Sequence, residues 1–146
     1  MKNGKGRAIG YWVTTSILAL EFLMGGLTSL ARLPAAVDGM AHLGYPAYFG
    51  LLLGAWKVLG AIAIMAPGTP RLKEWAYAGI AFDLTGAVVS ILASGDGPIV
   101  AIMPLVFIPI LIASWALRPS SRTLAVVSAP KAALADDSER RALHAA

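Results

Sequence analysis

The chain has 146 residues, 58% of them apolar and 14% charged, with a formal net charge of +4 and no cysteine. Apolar residues make up roughly half of a soluble domain and charged ones about a quarter, so this composition points to a small membrane protein with one bundle. The missing cysteine excludes disulfides, thiol redox chemistry, iron–sulfur clusters and Cys-x-x-Cys-His haem attachment.

A helix needs about 20 mostly apolar residues to cross a bilayer core. Four stretches qualify, from about residue 9 to 30, 47 to 66, 75 to 93 and 98 to 117. The second ends at MAPGTP and the third at SGDGP, both helix-stopping clusters. Pro104 and Pro109 fall inside the fourth, which predicts a kink. The first span has a basic start, but it is long and Glu21 interrupts it, so it reads as a retained span and not as a cleaved signal. Between spans one and two, LPAAVDGMAHL predicts a short surface helix after Pro34, with Leu33, Val37, Met40 and Leu43 on its apolar face. Asp38 and His42 follow at helical spacing on another face. Two such residues fall short of the three or four ligands of a metal site, so they read as a solvated face and no metal is assigned.

The fold class is therefore all-α: a four-helix integral membrane bundle over residues 1–118, with a surface helix between spans one and two. Residues 119–146 read as a disordered cytoplasmic tail, being rich in Ala, Ser and charge without apolar periodicity. Lys2, Lys5 and Arg7, then Arg71 and Lys73, then Arg118 and Arg122 all fall on one side of a four-span chain. Short basic loops stay inside, which predicts cytoplasmic termini in a cell membrane. The positive charge thus has a topological cause, and no nucleic-acid partner is inferred.

Glu21, Lys57 and Asp83 are the charges within spans one, two and three. At about 1.5 Å of rise per residue they lie at similar depth, ~12–18 Å from the cytoplasmic ends. Each stands on a stripe of small or hydroxyl residues: Thr14, Gly25 and Thr28 near Glu21; Gly50, Gly54, Gly60 and Ala61 near Lys57; Ala76, Gly79, Gly86, Ala87 and Ser90 near Asp83. Small stripes are where membrane helices pack closely. The spacing therefore predicts three charges turned into the bundle and away from lipid, in one buried cluster. Such a cluster is either a functional site or a polar device that fixes helix register.

The strings HLGYPAY from residue 42, KVLGA from 57, LKEWAYAG from 72 and FDLTGAVVS from 82 resemble, in that order, the DoxX-like family of small bacterial four-helix membrane proteins. The resemblance implies the fold, and it implies His42, Tyr45, Pro46, Lys57, Trp75, Tyr77, Gly79, Asp83 and Gly86 as candidate positions. It also suggests a module of a membrane redox or assembly complex, without catalytic activity of its own. A quinone is the candidate cofactor, with Lys57, Trp56 or Tyr77 as donors to its carbonyl oxygens. Two other readings stand beside it: a small proton-linked carrier, which with four spans needs a second copy, and a purely structural membrane partner.

Overall fold

A computed structural model of the chain describes residues 3–119, 122 and 123. Of the tail expected to be disordered, Pro119, Arg122 and Thr123 are described, and Arg122 packs on α1, donating to the Tyr11 hydroxyl at 3.2 Å; the rest of that expectation lies outside the described residues. Five helices follow one another: α1 (Asn3–Leu30), α2 (Pro34–His42), α3 (Ala47–Met65), α4 (Pro70–Ala93) and α5 (Pro98–Ala116). All but α2 are long and apolar enough to cross a membrane.

Proline sets the helix starts. Pro34, Pro70 and Pro98 each occupy the first turn, where a missing N–H costs nothing, and Pro46 caps α3 in an extended conformation. Two spans begin earlier than the sequence suggests. The third starts at Pro70 and not near Trp75, because the charge of Lys73 is absorbed inside the protein, as described below. The first starts at Asn3, so Lys5 and Arg7 lie within α1. The fourth runs through Pro104 and Pro109 as one helix.

α1, α3, α4 and α5 form a ring in that order, each packing on its two neighbours. α2 sits across α3 and α1, beside Arg32 and at the end opposite Lys5, Arg7, Arg71, Lys73 and Arg118. Met40 packs against α3, with Cγ at 3.3 Å from where a Cβ on Gly50 would stand. The core is filled by Leu18 and Phe22 of α1, Ala61 and Ile64 of α3, Tyr77, Ile80 and Leu84 of α4, and Leu111 of α5. These residues lie toward the basic end.

The ring is uneven. α1 and α3 cross at Gly26 and Gly54, where a Cβ on Gly26 would meet the Gly54 carbonyl oxygen at 2.8 Å and one on Gly54 would meet the Gly26 oxygen at 2.9 Å. This is the close small-residue contact of membrane helices. The α4 stripe behaves otherwise: a Cβ on Gly79 or Gly86 would find nothing within 4 Å. The close packing expected around Asp83 is absent at these two glycines, and the α3–α4 side of the ring is open.

Gly54→Val is expected to force the α1 and α3 backbones apart and lower stability by about 1–3 kcal/mol, the usual cost of overpacking. Gly79→Ala, facing open space, is expected to leave it unchanged. Thermal unfolding in detergent checks both.

Candidate functional site

The open side of the ring holds a cavity of about 610 Å³ between α3 and α4. Trp56, Leu59, Gly60 and Ala63 form one wall, and Leu72, Trp75, Gly79 and Phe82 the other. Phe22 of α1 reaches it from behind. Trp56, Trp75 and Phe82 are exposed and stand at its mouth. The lining is apolar except at one place, where Lys57 meets Asp83.

Lys57 Nζ lies 3.3 Å from Asp83 Oδ2 and 5.1 Å from the centre of the Phe22 ring. The side chains retain 21% and 11% exposure, so the pair is largely enclosed yet reachable from the cavity. This qualifies the prediction that the charges turn wholly into the bundle. They sit where the α3–α4 opening begins, because Gly79 and Gly60 leave room beside them.

Glu21 stands behind the pair. Its Oε1 and the Lys57 Nζ both border the space above Gly25, at 3.9 and 3.8 Å from where a Cβ would stand. Its Oε2 is buried without a hydrogen-bond partner among the described residues. Lys57 thus pairs with Asp83, while Glu21 neighbours it without an ion pair.

The other candidates are placed elsewhere. Tyr77 is buried in the core and does not line the cavity; its hydroxyl bonds to Ser114 Oγ at 2.7 Å, and Ser114 Oγ bonds to Thr15 Oγ1 at 2.6 Å. Tyr45 stacks on Phe49 and shares a 2.7 Å hydrogen bond with Ser90 Oγ, tying the start of α3 to α4. His42 donates from Nε2 to Asp96 at 2.9 Å, so its partner comes from the α4–α5 loop and not from Asp38. Gly86 lies outside the cavity lining.

Three features escape sequence reasoning. Lys73 is fully buried and donates to the carbonyl oxygens of Ala63, Ile64 and Ala66, capping the end of α3. A cation suits a helix C-terminus, where carbonyls lack partners. Arg118 donates to Glu74 Oε1 at 2.8 Å, Trp115 donates to Glu74 Oε2 at 3.0 Å, and the guanidinium lies 5.0 Å from the Tyr77 ring centre. The third is the Thr15–Ser114–Tyr77 hydroxyl chain. Its signal in the sequence is slight: Ser114 stands alone in an apolar run, while Thr15 is one of three consecutive hydroxyl residues, Thr14, Thr15 and Ser16.

Four membrane-crossing helices, a short helix over one end and one charged pair beside a lateral cavity define a multi-pass membrane protein. The chain belongs to the DoxX-like family, whose model matches residues 13–114. Neither a curated protein nor a solved structure matches it.

Lys57→Met leaves the Asp83 carboxylate enclosed without its cation. Breaking a buried pair costs roughly 3–5 kcal/mol in soluble proteins, less where an unpacked membrane chain finds other partners. Adding Asp83→Asn is expected to recover most of the loss. Unfolding of the single and double variants in detergent measures it, and an unchanged midpoint for Lys57→Met would refute the pairing.

Proposed function

We propose that this protein is a module of a membrane redox or assembly complex, without catalysis of its own, and that its α3–α4 cavity binds a lipid-soluble quinone. The observation that carries the proposal is the pairing of one polar spot with an otherwise apolar cavity of about 610 Å³. Ligand sites fall in this size range and have this character. The Lys57 ammonium supplies a donor for a quinone carbonyl, and the Asp83 carboxylate an acceptor for the hydroxyl of the reduced form. Trp56 lies at the mouth, where its ring offers a stacking surface. Tyr77 is engaged in the core, so the polar contacts fall to Lys57 and Asp83.

Tryptophan fluorescence supplies the test, since Trp56 and Trp75 border the cavity. In lipid nanodiscs, a short-chain quinone is expected to quench it saturably. Lys57→Met, or Lys57→Met with Asp83→Asn, is expected to weaken binding about tenfold, equivalent to ~1.4 kcal/mol. Quenching that is linear and equal in all three proteins would remove the proposal.

The basic side chains support an orientation with both termini cytoplasmic in the cell membrane; the division into a membrane domain of residues 1–118 and a tail of 119–146 rests on composition. Lys5, Arg7, Arg71, Lys73, Arg118 and Arg122 fall at one end of the ring, where α1 begins, α3 meets α4 and α5 ends. Reporter fusions at Gly68 and after Leu117 are expected to read inside and one at Gly39 outside; an outside signal at Gly68 contradicts this topology.

A further inference from the structure

We propose that the α3–α4 cavity is a one-sided portal. Its occupant enters sideways from the leaflet at the basic end, polar end first, and lies with that end at Lys57 and its apolar body running back toward Ala63 and Leu72. The occupant is a neutral molecule with one oxygen-bearing end and an apolar body. This rests on the reading of the cavity as a quinone-type site and adds direction, leaflet and selectivity against phospholipid.

The α3–α4 seam is pinned at both ends. At the α2 end, Tyr45 is bonded to Ser90 and His42 to Asp96. At the basic end, Lys73 of α4 is bonded to three α3 carbonyls. The Lys73 bridge is buried and binds the carbonyl of Ala63, a residue of the cavity's lining. The cavity lies between these pins, and its mouth is rimmed by apolar side chains of Trp56, Leu59, Leu72, Trp75 and Phe82. Access is therefore from lipid and not from the aqueous end.

The cavity's polarity is opposite to that of a phospholipid. Counting ~1.5 Å per residue, Lys57 stands ~12 Å from the α3 end at Met65, and Asp83 ~20 Å from the α4 start at Pro70. Half of a bilayer core is ~15 Å, so the charged pair lies near the midplane. Ala63 and Leu72 lie only ~3 Å from the same helix ends. The polar spot is thus deep, with Leu53 one turn beyond it, and most of the apolar lining is shallower. A phospholipid of that leaflet holds its phosphate at the surface and brings its chain ends to the midplane, and would set methyl groups against the ion pair. A molecule without a charged head can carry its polar end to this depth. Lys57 and Asp83 present a donor and an acceptor side by side, which suits a carbonyl or hydroxyl better than a head of either charge.

Two probes separate this arrangement from its reverse. The protein is labelled with fluorotryptophan, its resonances are assigned by single Trp→Phe changes, and it is reconstituted in nanodiscs. A short-chain quinone with a nitroxide at the far end of its alkyl chain is then added. Trp75, ~8 Å from the start of α4, is expected to broaden more than Trp56, ~14 Å from the end of α3. A quinone carrying the nitroxide on its ring is expected to give the opposite order. Gly79→Leu places a side chain in the cavity where nothing lies within 4 Å, and Ala78→Leu narrows the same wall. With either, the difference between Trp56 and Trp75 is expected to vanish while the unfolding midpoint holds. If both probes bind but the ring-labelled one broadens Trp75 more, the portal is overturned and the quinone site stands. Folded Gly79→Leu and Ala78→Leu proteins that both retain the difference overturn the portal in the same way. If neither labelled nor unlabelled quinone binds saturably, the quinone site itself fails and the portal with it.

Discussion

The contact between Lys57 and Asp83 is the constraint around which the open side of this bundle is arranged. An ammonium near mid-bilayer costs roughly 2.5–3.5 kcal/mol or more on insertion scales. Asp83 offsets part of that cost from 3.3 Å away, and the face of Phe22 adds a second favourable surface at 5.1 Å. Both partners come from the two helices that form the open seam. The pair thus holds α3 and α4 together where side-chain packing does not. It also fixes the polar spot of the cavity, and a cavity without it would be a lipid-filled crack.

The rest of the ring lets this seam stay open. α1 and α3 are locked by backbone contact at Gly26 and Gly54. α4 and α5 are joined by Glu74 with Trp115 and Arg118 and by Tyr77 with Ser114. α1 closes on α5 through Thr15 and Ser114. Thr15, Ser114 and Tyr77 each have a hydroxyl partner, the condition under which such networks rigidify a core. The basic end is therefore a closed polar plate, with Lys73 bonded across to α3. Rigidity there and at the Tyr45–Ser90 bond confines the opening to the middle of the seam.

Much of the architecture is legible in the sequence because membrane crossing imposes length and composition directly. The four spans, the short helix after Pro34 and the family assignment all follow from apolar runs, prolines and a few short strings. The third span reads as starting at Trp75 because Lys73 looks like a flanking charge; only the carbonyls at the end of α3 explain how it enters the fold. The ionisable trio is legible as a group, since charges in apolar runs are few. Its pairing is not: spacing along one helix says nothing of which neighbour it meets, and Glu21 and Asp83 look equivalent. Small residues mislead in the same way. Gly54 marks a tight crossing, while Gly79 and Gly86 mark empty space, and a stripe alone does not tell the two apart. Asp96, the partner of His42, comes from a distant loop and leaves no local pattern.

In chemical terms the site offers a donor and an acceptor at the deep end of an apolar slot, with Glu21 close behind. Everything proposed for it depends on Lys57 facing Asp83 in a bilayer. The most direct measurement is the dipolar coupling between the Lys57 side-chain nitrogen and the Asp83 carboxyl carbon, in protein labelled at both sites and reconstituted in lipid for solid-state magnetic resonance. A strong coupling is expected, consistent with the 3.3 Å contact between Nζ and Oδ2. A nitrogen that couples to the Glu21 carboxyl instead, or to neither acid, would contradict the pairing and the site built on it.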